Sequence, residues 1–133
     1  MLNIQVISFS FKKGYPSSAG GNGGGFVFDC RFLENPGRYE PYKKLSGKDK
    51  EVIEFLQSRS IIDEFLDNVF KILKPAVINY LERDFNSLQV CFGCTGGQHR
   101  SVYSAEKTAE FLKKIFPEVN VELIHREESN WLI

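Results

Sequence analysis

Nine consecutive residues, Gly93-Cys94-Thr95-Gly96-Gly97-Gln98-His99-Arg100-Ser101, carry the densest chemistry in the chain. Gly96 and Gly97 have no side chains, so the backbone can turn its N–H groups toward one point and let a ligand come close. An amphipathic pattern follows directly, and a helix starting near Gln98 brings unpaired N–H groups and the positive end of its dipole. Thr95 and Ser101 add hydroxyls. Arg100 offers a planar fork suited to phosphate or carboxylate, and His99 a donor able to carry charge near neutral pH. Together these residues describe a site for a phosphate or another small anion. The run is not a Walker A loop, because no Lys-Ser/Thr follows the second glycine. The alternative is that the two glycines only make a tight turn.

The same run permits a covalent reading. Cys94, then five residues, then Arg100-Ser101 matches the spacing of cysteine-dependent phosphatase loops. In such loops the thiolate attacks phosphorus and the arginine holds the phosphoryl oxygens. Asp29 would then have to act as general acid. Against this stands Cys94 as a small buried hydrophobe.

Three other places offer polar partners. Asp29 and Arg31 stand at the end of an earlier strand pattern, where Asp29 could accept from sugar hydroxyls and Arg31 could hold a second anionic group. A simple salt bridge is the competing reading. Lys12 follows Phe9-Ser10-Phe11, and His125-Arg126 follows the last strand pattern. Either could face the same pocket or stand apart from it.

The elements that position these groups read as follows. Leu2 to Ser10 alternates at first and reads as a strand. Gly14 to Gly25 holds six glycines and is expected to be a flexible loop, with a lid as the lesser reading. Phe26 to Phe32 reads as a second strand, which would put Asp29 and Arg31 on one face. Val52, Ile53, Phe55 and Leu56 mark a short helix. Ile62, Phe65, Leu66, Val69, Phe70, Leu73 and Val77 mark a second, which Pro75 should kink or split. Leu88 to Cys94 reads as a buried strand. Val102, Ala105, Ala109, Leu112 and Phe116 give a long helix closed before Pro117, and Val119 to Ile124 a last strand. The order β-β-α-α-β-α-β predicts one α/β domain over residues 1–133, with a parallel or mixed sheet flanked by helices. In such a sheet ligands bind beyond the carboxyl ends of the strands, where the glycine loop falls.

Composition narrows the function classes. The formal net charge is zero, which argues against binding nucleic acid or membranes through bulk charge. The charge is uneven, however: residues 1–50 hold eight Lys/Arg against four Asp/Glu, beside the candidate loops. Three cysteines, Cys30, Cys91 and Cys94, suggest neither a disulfide framework nor a zinc site. No metal or cofactor is expected. Leu2 to Ser10 reads as neither signal peptide nor membrane span, so a cytoplasmic setting is the expectation.

Four segments carry a family resemblance: Ser8-Phe-Ser-Phe-Lys-Lys-Gly-Tyr-Pro16, Phe26-Val-Phe-Asp-Cys-Arg-Phe-Leu-Glu-Asn-Pro36, Leu45-Ser-Gly-Lys-Asp-Lys50 and Gly93-Cys-Thr-Gly-Gly-Gln-His-Arg-Ser-Val102. In this order, over nearly the whole chain, they resemble the C-terminal domain of the RapZ family of RNase adapters. The resemblance implies a fold similar to the sugar-phosphate subdomain of phosphofructokinase. It also implies sensing of glucosamine 6-phosphate and binding of regulatory small RNA. The positions matching a phosphosugar pocket are Asp29, Arg31, Thr95, Gly96, His99 and Arg100. With the residue-based reading, the expected ligand contacts are Lys12, Asp29, Arg31, Thr95, Gly96, Gly97, His99, Arg100 and Ser101. Three departures bear on function. Family proteins carry an ATPase domain ahead of this region, so ATP hydrolysis is not expected of this chain, and a separate ATPase chain becomes a conceivable partner. Gly37-Arg38 stands where the family has a histidine. The tail Glu127-Glu-Ser-Asn-Trp-Leu-Ile133 is acidic and apolar, which weakens the case for RNA. The expectation is a binding or sensor domain for a phosphorylated small molecule or other anion. A phosphatase-like enzyme and an RNA-binding protein are the alternatives.

Overall fold

The computed structural model describes residues 1–18 and 24–133. It contains four strands, β1 (Asn3–Ser10), β2 (Gly25–Asp29), β3 (Ser87–Cys94) and β4 (Asn120–His125). Three helices, α1 (Lys50–Arg59), α2 (Ile62–Glu82) and α3 (Arg100–Ile115), complete the α/β domain. The sheet order is β2-β3-β1-β4 and every pairing is parallel. All four carboxyl ends therefore lie along one edge.

Alternation decides which side chains meet the helices. Ile4 and Val6 of β1 and Leu88, Val90 and Phe92 of β3 lie in one core with residues from all three helices. Those helical residues include Val52 and Leu56 of α1, Leu66, Val69 and Leu73 of α2, and Ala105, Ala109 and Leu112 of α3. Burial of each large apolar side chain in this layer stabilises by about 1.5–3 kcal/mol. The intervening positions Ile7, Phe9 and Cys91 form a second, smaller cluster with Phe11 and Ile124. Among the described residues, none from α1, α2 or α3 joins that cluster. Residues just after β1 lie there: the Tyr15 ring meets Phe11 edge-on and Phe9 at a tilt, and the Gln89 side chain of β3 donates to the Ser17 carbonyl at 2.9 Å. Residues 19–23, the centre of the glycine-rich stretch expected to be a flexible loop, lie outside the described residues.

Three local expectations are corrected. β2 ends at Asp29, so Arg31 sits in the following turn and not on the strand. The reason is local chemistry: the Asp29 carboxylate accepts from the Arg31 backbone N–H at 2.9 Å and bends the chain. Pro75 does not split α2, which runs unbroken from Ile62 to Glu82. Pro75 faces solvent, where water replaces the hydrogen bond its missing N–H would have made. The third helix begins at Arg100, two residues later than the pattern suggested, because Gln98 and His99 are drawn into side-chain contacts outside it.

Candidate anion-binding site

The chain leaves β3 at Cys94 and enters α3 at Arg100, at the carboxyl edge of the sheet. Cys94 pairs in register with Ser10, the last residue of β1, and Gly93 with Asp29, the last of β2. The topology thus brings the ends of β1, β2 and β3 to one place. Lys12 lies there too, exposed in the short turn after β1.

The carbonyls of the loop are used to hold it. Ser10 Oγ donates to the Thr95 carbonyl at 2.6 Å, Trp131 Nε1 to the Gly97 carbonyl at 2.9 Å, and the Gly47 amide to the Gln98 carbonyl at 2.8 Å. Its amides are not so used. Among the described residues, the N–H groups of Thr95 to Val102 have no protein acceptor. The first turn of α3 contains no acidic residue, and the side chain of His99, at its N-cap, caps no amide. Bare amides and an uncapped 16-residue helix make a positive pole. Thr95 and Gly96 are exposed at its mouth, while Gly97 through Ser101 are buried.

Arg100 is only 3% exposed. Its Nη1 donates to the carbonyls of Arg31 and Leu33, at 2.8 and 2.9 Å, and so fastens the turn after β2 to α3. Its Nε is buried without an acceptor. A buried guanidinium N–H without a partner is costly, and such groups are commonly satisfied by water or a bound ligand.

Asp29 and Arg31 form a bidentate pair. Arg31 Nε and Nη2 donate to the carboxylate at 2.9 and 2.7 Å, and the guanidinium lies 3.8 Å above the Phe11 ring. The hydrogen bond from Arg31 holds the Asp29 carboxyl below its usual range, with Arg100 adding in the same direction. The two line a cleft of about 390 Å³ with Phe11, Tyr15 and Val27. Asp29 and Arg31 thus form the salt bridge of the competing reading, and the residues lining this cleft include none of Thr95–Ser101.

His99 takes a different part from the one its position suggested. Its Nε2 lies 2.8 Å from the Tyr42 carbonyl, and a carbonyl can only accept, so Nε2 carries the proton. Burial lowers its pKa, so the ring is neutral at neutral pH rather than a ready cation. Ser101 is fully buried, and its hydroxyl meets the Cys94 thiol at 3.1 Å. His125 and Arg126 reach the same edge but are committed within the protein. His125 bridges Ser8 and Glu106, each at 2.7 Å. Arg126 pairs with Glu127 and donates to the Gly14 carbonyl at 2.8 Å.

Sequence reasoning missed the residues that grip the loop. The Gln98 amide donates to the carbonyls of Lys43, Leu45 and Leu132 and accepts from the Leu132 amide, joining loop, 43–45 segment and C-terminal tail. Glu127 is buried and accepts from the Ser10 amide at 2.8 Å, directly behind Gly97. The tail reads from the sequence as acidic and apolar; in the structure Trp131 docks on the loop, its Nε1 donating to the Gly97 carbonyl.

Comparison with known proteins agrees with the segment-by-segment resemblance. A nucleotide-binding protein of Thermotoga neapolitana is 41% identical over 113 residues, covering 85% of this chain and 38% of the relative. One from Fervidobacterium nodosum is 38% identical over 125 residues, covering 93% and 42%. One from a Psychrobacter species is 36% identical over 132 residues, covering 98% and 40%. The chain therefore spans about two fifths of the length of these relatives. The sequence pattern of the RapZ C-terminal domain matches residues 2–129, and the chain belongs to that family.

Proposed function

We propose that the loop Thr95–Ser101 binds the phosphoryl group of a small phosphorylated molecule, and that the domain serves as a sensor of that molecule. The observation that carries this reading is the buried Arg100 guanidinium with an unpaired Nε beside a loop of bare amides. A phosphate offers the acceptors that both lack. Thr95 and Gly96 stand at the mouth of the loop, and Lys12, Asp29 and Arg31 border it at the neighbouring strand ends. The family resemblance names an amino-sugar phosphate such as glucosamine 6-phosphate. The ionised Asp29 beside the cationic loop suits such a ligand, which carries an ammonium and hydroxyls as well as a phosphate. The relatives' name speaks of nucleotides, which share the phosphate chemistry.

An adapter role toward RNA or a protein, including a separate ATPase chain, is the coarser regulatory function that the family suggests. Calorimetric titration with glucosamine 6-phosphate, glucosamine, inorganic phosphate and a mononucleotide tests the primary reading. Binding that requires the phosphate, and that weakens in Arg100→Lys, which keeps the charge but loses the fork, supports it. Equal binding of free glucosamine, or no binding of any phosphate, refutes it.

A further inference from the structure

The C-terminal tail and the anion loop meet across one peptide unit. Trp131 Nε1 donates to the Gly97 carbonyl at 2.9 Å. That carbonyl shares its peptide plane with the Gln98 N–H, and in a trans peptide the two point in opposite directions. The Gln98 N–H therefore faces away from the indole, and it is one of the bare loop amides. The Gln98 side chain turns back to the tail. Its Oε1 accepts from the Leu132 N–H at 3.0 Å, and its Nε2 donates to the Leu132 carbonyl at 2.9 Å. One residue thus has its main-chain amide in the loop and its side chain on the tail. Earlier in the tail, Glu127 accepts from the Ser10 amide at 2.8 Å and lies against Gly97, its charge met by Arg126 at 2.9 Å. Lys48 pairs with Glu128 at 3.6 Å and stands 5.9 Å from the indole ring, and the His125 ring lies 5.6 Å from it.

We propose that residues 127–132 act as a clasp that responds to the ligand. An anion accepted by the Gln98 amide tightens the Trp131 bond at the other end of the same peptide unit, and a docked tail in turn raises the affinity of the loop for the anion. This rests on the reading of the loop as a phosphate site and adds the regulation of that site. Trp131 is its positioning residue. The physical link is the peptide dipole: a peptide unit bonded at both ends is more polarised than one bonded at one end, so each bond strengthens the other. Trp131 also fixes the plane in which the amide points, so the ligand need not order it on binding. Coupling of this kind is reciprocal. The factor by which docking raises affinity is the factor by which the ligand suppresses release of the tail.

The other held carbonyls of the loop are fixed by groups that cannot leave so easily. Ser10 of β1 holds the Thr95 carbonyl, and Gly47, wedged against the first turn of α3, holds the Gln98 carbonyl. Among these three, the donor to Gly97 alone comes from beyond the last strand, where it can part from the loop without unpairing the sheet. Closing the clasp fixes the backbone that carries the exposed Leu132 and Ile133 side chains, so occupancy of a small site is converted into order at an apolar end.

The test uses the full chain and inorganic phosphate, with chloride at equal ionic strength as the control. Trp131 is the only tryptophan, so its indole N–H gives one resonance, followed beside the backbone amides in a single titration. The expected result is an indole signal that moves downfield with the same midpoint as the loop amides, and whose hydrogen exchange slows about fivefold or more at saturation. Calorimetry on Trp131→Phe, which keeps an aromatic ring and removes the donor, should show phosphate bound about fivefold or more weakly. A purely structural role for Trp131 would lower the urea midpoint of the variant and leave indole exchange in wild type indifferent to phosphate. The wild-type titration decides the matter even where the variant does not fold. Loop amides that shift while the indole signal and its exchange stay put overturn the clasp and leave the phosphate site standing. A folded Trp131→Phe chain that binds phosphate as tightly as wild type does the same. A wild-type chain that binds no phosphate overturns both.

Discussion

Replacing Gly97 by alanine tests whether the loop is held as described. Gly97 has φ of 69°, and a Cβ there would meet Glu127 Cγ at 2.8 Å, the Ser10 nitrogen at 2.9 Å and the Phe9 carbonyl carbon at 3.1 Å. The left-handed backbone costs an alanine about 1–2 kcal/mol. Forcing a methyl against β1 backbone, which cannot swing aside, adds about 1–3 kcal/mol. The sum is about 2–5 kcal/mol. Gly96, one residue earlier, provides the matched control: a Cβ there meets nothing within 4 Å and no positive φ is required. Its alanine variant should stay within about 0.5 kcal/mol of wild type. Urea denaturation followed by Trp131 emission reads both. With a slope of about 2 kcal/mol per molar, Gly97→Ala should lower the midpoint by about 1–2.5 M. Gly96→Ala should barely move it. Equal midpoints for the two variants, or a larger loss at Gly96, would refute the placement of this loop against β1 and Glu127.

Other consequences can be checked in the same way. Tyr103→Phe removes a hydroxyl that donates to Asp63 at 2.6 Å and accepts from Gln57 at 3.2 Å; denaturation should show a loss of about 1–2 kcal/mol. Gln98→Ala breaks the junction of loop, 43–45 segment and tail, and should cost about 2–4 kcal/mol while shifting Trp131 emission to the red as the tail loosens. His99 has a folded pKa below its unfolded value of about 6.5, so the unfolded chain takes up a proton that the native ring refuses. Stability from this group is therefore full above that value and falls as pH drops below it. Wild type should lose more stability than His99→Gln between pH of about 7 and 5.5, measured by paired urea melts, and parallel losses would contradict the burial assigned to His99.

The α/β order was legible because the apolar periods are strong: strict alternation in Ile4-Gln5-Val6, a short, mostly apolar run at Leu88–Cys94, and helical spacing from Ile62 to Val77. The position of the glycine loop followed from that order, since any parallel sheet puts the exit of β3 at its carboxyl edge. What the sequence did not disclose was the use of each polar side chain. Arg100 reads as a free fork, yet half of its guanidinium fastens the 31–33 turn, because a residue entering a buried helix N-terminus must satisfy its own donors first. His99 reads as a donor able to carry charge, yet its Nε2 is turned onto the Tyr42 carbonyl. Segments 31–33 and 40–47 have no periodicity, so their return to the loop is set by long-range contacts that no local pattern encodes. Gln98 was invisible for the same reason: its partners lie in the 43–45 segment and in the tail at Leu132.

The most direct test of the account is a titration of the isotopically labelled wild-type chain with inorganic phosphate and glucosamine 6-phosphate, followed by backbone and arginine side-chain amide shifts. The account predicts saturable shifts concentrated at Thr95 to Val102 and at the Arg100 Nε–H, with glucosamine 6-phosphate also moving the signals of Asp29 and Arg31. Shifts absent from the loop, or spread evenly over the exposed lysines, would contradict the assignment of a phosphate site at the start of α3.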